Sequence, residues 1–326
     1  MTHTVGVDIG GTKTLGVVLD IDHPTAGPVA VARRATPRGD EAVLGVIAAV
    51  VDDALAAAGR PAVEALGVGL PGLVDHHGVL RTGPNLPGVV DLDVIDRLGA
   101  TVGLPVVVDN DGNCAAWAER RLGACRGSDH AVVITLGTGI GAGVIAGGRL
   151  VRGAHGMAAE PGHMIVDPAG PRCPCGRRGC WERFASGTGL GFLAREAAVA
   201  GRLAGVVARA GGDPGAIRGE QVTAAAREGD VGALAVMEQF GWWVALGVAN
   251  LVNLLDPDHV VLGGGLVSDA DLFLAPTRVA FRDLVLAGAH RPPVPIDAAL
   301  TGENAGAIGA ALLAAERGWG PNAASR

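Results

Sequence analysis

The sequence predicts an α/β protein of about two domains, because short apolar strands alternate with helical segments along its whole length. The chain has 326 residues, of which 49% are hydrophobic and 18% charged, so it can bury a large core. A glycine-rich strand–turn–strand pattern occurs near residue 10 and returns near residue 137, which indicates a duplicated fold.

Charge and cysteine content narrow the class of protein. The net charge is −7, whereas nucleic-acid binders are usually basic, so we expect no nucleic-acid partner. The five cysteines are an odd number and favour a reducing compartment over a disulfide framework. No secretory signal is visible, and the longest apolar stretch, 240–255, is shorter than the roughly 20 residues that span a bilayer. We therefore expect a cytoplasmic protein with no membrane partner.

The elements of the first half follow from turn residues and hydrophobic spacing. In chain order the predicted elements are a strand over 4–7, a tight turn at Gly10–Gly11, a returning strand over 15–19, a third strand over 28–34, a helix over 40–58, and buried strands over 65–70 and 106–108. Asn113 then precedes a helical run through Ala118 and is a candidate N-cap.

The opening pattern returns in the middle of the chain. Three pairs of residues match when the two copies are aligned: Gly10 with Gly137, Gly16 with Gly143, and Val17 with Val144. The copies are either two unrelated glycine hairpins or the starts of two duplicated domains. Two such turns facing a shared cleft would grip a polyphosphate, because glycine lets backbone N–H groups approach phosphate oxygens closely.

The second half continues the alternation of strands and helices. Its predicted elements are a long buried helix over 238–255, a strand over 259–262 that ends in a glycine run, an extended segment from Pro292, an alanine-rich helix over 304–316 and a frayed end over 321–326. We expect a domain of 1–112 joined by the C-terminal helix of about 304–318, a larger domain of 113–303, and a hinge near Asp111–Asn113.

Two segments carry candidate phosphate or proton-transfer chemistry. Asp8-Ile-Gly-Gly-Thr-Lys13 has neither the Walker nor the dinucleotide glycine spacing, so it is either a phosphate contact or only a hairpin turn. Lys13 is the only lysine in the sequence. Asn110 and Asp111 follow a buried strand, where ligands of α/β sheets bind. Asp111 could accept a proton from a substrate hydroxyl there, although a helix cap and turn is the alternative.

Three cysteines within eight residues, with a histidine upstream, predict a metal site. The candidate ligands are His163, Cys173, Cys175 and Cys180, which match the Cys₃His set of tetrahedral zinc. Gly176 and Gly179 permit the tight turns that make the sulfurs converge. Four protein ligands close a tetrahedral site, so this zinc would be structural rather than catalytic. Free thiols in a loop are the alternative.

Taken together, these motifs resemble those of the ROK family of sugar kinases, and most closely its bacterial glucokinase branch. The segments that carry the resemblance are Asp8-Ile-Gly-Gly-Thr-Lys13, Asn110-Asp111-Gly-Asn113, Leu136-Gly-Thr-Gly-Ile-Gly141, Glu160-Pro-Gly-His163 and Cys173-x-Cys175-Gly-x-x-Gly-Cys180-x-Glu182. The resemblance covers nearly the whole chain, from Val5 to about Ala315. It implies a hexokinase/actin-like fold of two α/β domains, a duplicated ribonuclease-H-like fold with an interdomain cleft.

The resemblance also implies an activity and a set of site residues. The implied reaction is ATP-dependent phosphorylation of glucose to glucose 6-phosphate, with Mg²⁺ accompanying ATP, a structural Zn²⁺ held by the four ligands named above, and Asp111 as general base. The implied sugar ligands are Asn85, Asn110, Asp111, Glu160, His163 and Glu182. The implied nucleotide-binding residues are Asp8, Gly10, Gly11, Thr12, Lys13, Gly137, Thr138, Gly139, Gly141, Gly263, Gly264 and Gly265. We further expect a homo-oligomer, either a dimer or a tetramer.

Two residues depart from the family pattern, and several other functions stay open. Gly112 stands where the family often has alanine, and Asp109 where it often has glutamate. The alternatives are a ROK kinase for an N-acetylhexosamine, mannose or fructose, a kinase that uses polyphosphate, and a non-catalytic sugar sensor. The family also includes DNA-binding repressors, but the phosphate turn begins at Asp8, so we expect no preceding DNA-binding domain.

Overall fold

The computed structural model describes residues 1–83 and 85–316, and these residues form thirteen strands and ten α-helices. The strands are β1 His3–Ile9, β2 Lys13–Asp20, β3 Ala30–Ala35, β4 Val63–Leu70, β5 Leu73–Val74, β6 Val79–Thr82, β7 Val90–Asp93, β8 Val106–Asn110, β9 Ala131–Leu136, β10 Ile140–Ala146, β11 Arg149–Leu150, β12 His259–Gly263 and β13 Ile296–Ala298. The helices are α1 Asp40–Ala57, α2 Val94–Val102, α3 Asp111–Leu122, α4 Glu182–Ala185, α5 Gly187–Val199, α6 Ala204–Arg209, α7 Gly219–Arg227, α8 Val231–Leu255, α9 Ala270–Leu284 and α10 Ala305–Ala315.

Two five-stranded sheets carry the same strand pattern. The first has the order β3-β2-β1-β4-β8, and the second has the order β11-β10-β9-β12-β13. In both, the strand that opens the repeat pairs in parallel with the strand beyond it, β1 with β4 and β9 with β12. A third sheet, β5-β6-β7, has three strands. The shared order supports the duplicated domain over two unrelated hairpins.

Glycines let α10 pack closely on the first sheet. A methyl group added to Gly6 of β1 would lie 1.9 Å from the carbonyl oxygen of Ala307, and one added to Gly67 of β4 would lie 1.9 Å from that of Ala310. Both oxygens belong to α10, whose alanine-rich surface is almost wholly buried. The helix backbone therefore rests directly on the sheet, which explains why this part of the sequence is so rich in small residues.

The helix α8 forms the centre of the second core. It packs against α5, α7 and α9. A methyl group added to Gly247 would lie 1.9 Å from the ring of Trp181, which is fully buried. Trp181 also donates a hydrogen bond of 2.7 Å from its indole nitrogen to the carbonyl oxygen of Trp243. The cysteine-rich segment is thus anchored to α8 through Trp181.

The helix α8 is longer than the sequence patterns indicated. It has 25 residues, and its length and apolar composition would allow it to cross a membrane. The expectation that the longest apolar element is too short to span a bilayer was therefore wrong. Half of its most apolar window is buried within the structure, as in the core helix of a globular unit.

The described residues form two compact units. The first unit comprises the described residues of 1–129, 142–159 and 300–316, and the second comprises 130–141 and 160–299. This division differs from the boundary expected between 112 and 113, because α3 packs on α10 and belongs with the first sheet. The hinge expected near Asp111–Asn113 lies in the first turn of α3, inside the first unit. A functional domain boundary at that position stays a prediction.

Most other predicted elements lie within two or three residues of their expected bounds, with three exceptions. Asn113 is not the cap of α3, because Asn110 has extended backbone angles and its side-chain oxygen accepts a hydrogen bond from the Asn113 N–H at 3.2 Å. The extended segment expected from Pro292 becomes a strand only at Ile296. The end of the C-terminal helix at about 318 and the frayed segment 321–326 lie outside the described residues.

Candidate active site

The first glycine turn, between β1 and β2, is closed by hydrogen bonds and by a long-range ion pair. The Gly10 N–H donates to the carbonyl oxygen of Lys13 at 2.8 Å, and the Thr36 hydroxyl donates to the carbonyl oxygen of Gly10 at 2.7 Å. The Lys13 ammonium donates to a Glu303 oxygen at 3.1 Å, and the other Glu303 oxygen pairs with Arg33. Glu303 therefore holds the lysine, and the hydrogen bond from Lys13 lowers the pKa of Glu303.

Asp8 is the last residue but one of β1, just before this turn. Its carboxylate lies against the first turn of α10, since a methyl group added to Gly306 would lie 2.5 Å from the Asp8 carboxyl carbon. Burial raises the pKa of Asp8 to about 6, although the positive charge of Lys13 opposes the rise. Near neutral pH the site thus holds a carboxylate whose charge is costly to bury and which a positive ligand would stabilise.

The end of β8 carries a buried network around Asp109. One Asp109 oxygen accepts from the Asn110 N–H and from the Asn113 side chain, each at 2.8 Å. The other accepts from Arg152 at 2.8 Å and 2.7 Å, and both side chains are largely buried, at 6% and 13% exposure. The pair is charge-balanced and fully hydrogen-bonded, which is the condition for tolerating buried charge.

Asp111 is the first residue of α3 and directly follows Asn110, whose N–H donates to Asp109. Its Oδ1 accepts a hydrogen bond of 2.9 Å from the Gly112 N–H, and the side chain is half-buried. The preceding Asn110 donates from its amide to the carbonyl oxygen of Gly72 at 3.1 Å. A methyl group added to Gly112 would lie 2.5 Å from the carbonyl oxygen of Ala142, which explains glycine at this position.

Asn85 lies beside the first glycine turn. It is an exposed turn residue, and a methyl group added to Gly11 would lie 3.2 Å from its carbonyl oxygen. Within the first unit, the structure therefore brings Asn85 to the turn of Gly10–Lys13. Asn110 and Asp111 lie together at the end of β8.

The second glycine turn, between β9 and β10, is supported by the start of α5. The Gly187 N–H donates to the carbonyl oxygen of Gly137 at 2.8 Å, and the Thr188 hydroxyl donates to that of Thr138 at 2.7 Å. Ser186 caps α5 by accepting from the Gly189 N–H at 3.1 Å. The turn and the helix N-terminus thus form one rigid surface.

A cavity of about 640 Å³ opens over this surface. Its lining includes Gly137 and Thr138 of the turn, Gly187 and Thr188 of α5, Arg195, the start of α7 from Arg218 to Thr223, and Gly265 with part of the turn that follows it. Residues far apart in sequence therefore meet here. The contributions of α5 and α7 were missed by the sequence analysis, because no local motif marks them.

Other predicted nucleotide residues of the second unit serve packing in this structure. Gly263 is buried in β12, and a methyl group on it would lie 3.2 Å from the Ala299 side chain. Gly264 has a φ of 82° and packs on the backbone of Leu136, so of this glycine run only Gly265 lines the cavity. A methyl group on Gly139 would lie 2.6 Å from a Glu182 oxygen, and one on Gly141 would lie 2.8 Å from the Thr135 hydroxyl.

The four predicted metal ligands converge in the second unit. The side-chain ligand atoms of His163, Cys173, Cys175 and Cys180 all lie within 4.8 Å of one another. The sulfurs of Cys175 and Cys180 are 3.5 Å apart, and the sulfur of Cys173 lies 3.9 Å from Nδ1 of His163. Two sulfurs bound to one zinc at about 2.3 Å each lie about 3.8 Å apart, so the spacing fits a tetrahedral ion.

Tight turns produce this convergence. Gly176 and Gly179 have φ values of 89° and 66°, which glycine adopts without strain. A methyl group on Gly179 would lie 1.5 Å from the carbonyl oxygen of Asp167, so no larger residue fits. The role predicted for these two glycines is confirmed.

Two carboxylates accompany the cluster. Glu182 Oε1 lies 3.0 Å from the Cys173 sulfur and 3.9 Å from Nδ1 of His163. Glu160 precedes the short turn Pro161–His163, and burial raises its pKa, with His163 opposing the rise and Glu182 adding to it. The structure therefore brings Glu160, His163 and Glu182 together in the second unit.

The duplicated sheets and the clustered polar groups define a class: a mixed α/β protein with the two-domain actin-like fold of sugar kinases. The ROK family model matches residues 4–317, so the chain belongs to the ROK family.

Comparisons with individual proteins agree with this class. The chain is 38% identical over 316 residues to a glucokinase of Streptomyces coelicolor, covering 96% of this chain and 98% of that protein. It is similar to the crystal structure of a ROK family glucokinase from Streptomyces griseus in complex with glucose and AMPPNP, with a TM-score of 0.86, 39% identity, and coverage of 96% and 99% of the two chains. It is also 33% identical over 323 residues to an N-acetylmannosamine kinase of Escherichia coli, covering 95% of this chain and 98% of that protein.

Proposed function

We propose that this chain is an ATP-dependent glucokinase that transfers the terminal phosphoryl group of ATP to the 6-hydroxyl of glucose. The observation that carries the proposal is the half-buried Asp111 at the start of α3, held beside the Asp109–Arg152 network. Family membership and the similarity to glucokinases from two Streptomyces species support a sugar kinase with this substrate.

Asp111 is the proposed general base. Phosphoryl transfer depends on positioning and charge neutralisation more than on covalent chemistry, and Asp111 would accept the proton as the sugar hydroxyl attacks. Asp111 lies in the first turn of α3, directly after the end of β8. The side-chain amide of Asn110 donates a hydrogen bond to the carbonyl oxygen of Gly72, and Asn110 would orient a neighbouring sugar hydroxyl.

The cavity of about 640 Å³ is the proposed nucleotide site of the second unit. Thr138 and the start of α5 line this cavity, and the helix dipole favours negative charge there. Gly265 would let the adenosine lie against the backbone. In the first unit, the Gly10–Lys13 turn is the proposed second phosphate contact. Mg²⁺ bound with ATP supplies charge neutralisation of the phosphates.

The sugar ligands are proposed in both units. Asn85, Asn110 and Asp111 belong to the first unit, and Glu160, His163 and Glu182 belong to the second. Carboxylates accept hydrogen bonds from hydroxyl groups, so Glu160 and Glu182 would select sugars with hydroxyls at matching positions.

A structural zinc ion is proposed for the cluster of His163, Cys173, Cys175 and Cys180. Its support is the convergence of one nitrogen and three sulfurs at tetrahedral spacing. Nδ1 of His163 faces the sulfur of Cys173, so Nε2 remains for a sugar hydroxyl. The ion would fix the ring orientation and thereby the direction of that second nitrogen.

A competition assay with purified protein tests the sugar assignment. Glucose, mannose, fructose, galactose, N-acetylglucosamine and N-acetylmannosamine are compared at constant ATP. We expect the highest kcat/KM with glucose, and galactose at least about tenfold lower, because an inverted hydroxyl leaves a buried polar group unpaired at about 1–3 kcal/mol. A higher kcat/KM with another sugar would reject glucose while leaving the kinase assignment intact.

The second candidate substrate is an N-acetylhexosamine. The 33% identity to an N-acetylmannosamine kinase over nearly the whole chain favours it over mannose or fructose, and the same assay decides between the two. Cytoplasmic location and homo-oligomer formation stay predictions, which fractionation and light scattering would test.

A further inference from the structure

A separate cavity of about 390 Å³ lies in the second unit, between α9 and the segment that leads into β13. It shares no lining residue with the cavity proposed for the nucleotide. None of its residues belongs to a motif of the proposed kinase site. Its function must therefore be argued from its own side chains.

The floor of this cavity is apolar and rigid. Phe281 lies in the last turn of α9 and Val285 directly follows the helix; each is 6% exposed, and Ile296 of β13 is 2% exposed. The facing segment 292–295 contains three prolines, whose fixed φ angles limit its motion. A ligand with an apolar body would meet a surface that is already formed.

The rim of the cavity is positively charged. Three guanidinium groups line it, those of Arg278, Arg282 and Arg291, and no carboxylate side chain does. Arg278 pairs with Asp297 at 2.7 Å, and Arg291 pairs with Asp256 at 2.5 Å. Arg282 forms no ion pair within residues 1–83 and 85–316.

The charges at the rim do not balance. Two carboxylates offset three guanidinium groups, and the carboxyl end of α9 contributes only about half a negative charge more. Nε of Arg291 is also buried and has no hydrogen-bond partner in the part of the chain that the structure describes. A guanidinium group binds carboxylate and phosphate through paired N–H donors, so the positive charge that is left unbalanced at the rim is suited to an oxyanion.

We propose that this cavity binds an organic anion, with a phosphate or carboxylate group at Arg282 and a ring-sized apolar body on Phe281, Val285 and Ile296. The oxyanion is the shared chemistry of the two ligand classes. Inorganic phosphate alone would leave the apolar floor uncovered. The site does not depend on the proposed kinase activity.

Calorimetric titration of the full chain with phenyl phosphate, benzoate and inorganic phosphate tests this site. We expect phenyl phosphate or benzoate to bind more tightly than inorganic phosphate, and the tighter of the two identifies the anionic group. Arg282→Met should weaken that binding at least about tenfold, since it removes a charge-assisted contact. Arg282 is exposed, so its replacement should leave the fold intact, which circular dichroism checks.

The matched control is Arg126→Met, which removes an exposed arginine in the first unit. We expect it to bind the organic probe as the parent does. Equal affinities in Arg282→Met and Arg126→Met would overturn the proposal, because the anion would then bind elsewhere, as at the nucleotide cavity. No binding of either organic probe would also overturn it, and so would inorganic phosphate binding as tightly as phenyl phosphate.

Discussion

The two five-stranded sheets share a strand order but carry different chemistry at equivalent positions. In the first sheet Asp8 of β1 lies opposite Gly69 of β4, and in the second Thr135 of β9 lies opposite Gly263 of β12. One copy therefore has a carboxylate at the position where the other has a hydroxyl. The strand beyond continues the contrast, because β8 ends in Asp109 and Asn110, whereas β13 ends in Ala298.

The contrast separates what the duplicated fold requires from what function requires. Both copies keep glycine in the hairpin turn, Gly10–Gly11 in the first and Gly137 in the second. The first copy places Asp8 and Asp109 at the last residue but one of β1 and β8, and of the two copies only the second carries the cysteine-rich segment 160–182. If the first copy supplies the general base and the second a metal-stabilised segment, substitutions in the two copies should impair the protein in different ways.

The largest effect is expected from Asp111→Asn. The substitution removes proton acceptance but keeps the shape of the side chain, so kcat for glucose should fall by about 10²–10⁴-fold with little change in stability. Steady-state kinetics and thermal unfolding measure the two quantities.

A matched substitution in the second sheet provides the control. Asp297→Asn alters a carboxylate of β13 that pairs with His259 and Arg278, and we expect kcat within a factor of two of the parent, about the scatter of a neutral substitution. A kcat for Asp111→Asn that is also near the parent value would reject the base assignment.

Loss of the metal should disable the second unit. Metal analysis should find about one zinc per chain, and Cys175→Ser should lose both the metal and most of the activity. Cys125→Ser, which alters a buried cysteine outside the cluster, should retain the metal. Full activity in a zinc-free preparation would contradict the structural role.

The Asp109–Arg152 pair should be the main electrostatic support of the first site. Arg152→Met leaves the buried Asp109 carboxylate without its cationic partner, and the free energy of unfolding should fall by about 3–5 kcal/mol. Urea denaturation measures the change. Arg149→Met, at an exposed position on β11, should alter stability by less than about 0.5 kcal/mol.

A second substitution distinguishes an unpaired charge from lost packing. In the double variant Asp109→Asn with Arg152→Met no buried charge remains, so part of the lost stability should return. If the double variant is less stable than Arg152→Met alone, the stabilisation that Arg152 provides does not come from its ion pair with Asp109.

A smaller effect of opposite sign is expected from Asp8→Asn. The folded-state pKa of Asp8 is about 6, against an ordinary value of 3.8, so the folded chain binds the proton more tightly than the unfolded chain. Its ionisation therefore destabilises the fold as pH rises from about 4 to 6, by up to about 3 kcal/mol at neutral pH. Asp8→Asn should raise the free energy of unfolding at pH 7.5, and the gain should vanish near pH 4.

A carboxylate on the same hairpin gives the contrasting control. Desolvation of Asp20 is outweighed by hydrogen bonds from the Asp22 N–H and His23, which lower its pKa. Asp20→Asn should therefore not stabilise the chain at pH 7.5. If both variants are destabilised, the inferred burial cost of Asp8 is wrong.

Local signals in the sequence predicted the parts of the molecule that local physics determines. The glycine repeat predicted both hairpins, because a tight turn between apolar strands needs few other contacts. The spacing of His163 and the three cysteines predicted their convergence for the same reason. The helix over 40–57 followed from its apolar spacing.

The missed features depend on tertiary contacts or on competition between neighbouring polar groups. Glu303 reaches Lys13 across 290 positions, and α5 and α7 meet at the large cavity only through folding. Asn113 was mistaken for a cap because it sits next to Asn110 in a polar run. The buried Asp109 then draws the Asn113 side chain inward, which leaves the capping position to Asn110.

The single lysine gives the first glycine turn a chemical property that the second turn lacks. An amine-reactive reagent has only two targets in the 326 residues, the α-amino group and Lys13, whose side chain is 54% exposed. A fluorophore can therefore be attached at the turn of the unaltered protein. The rate of its attachment will report whether Glu303, or a bound phosphate, is covering the amine.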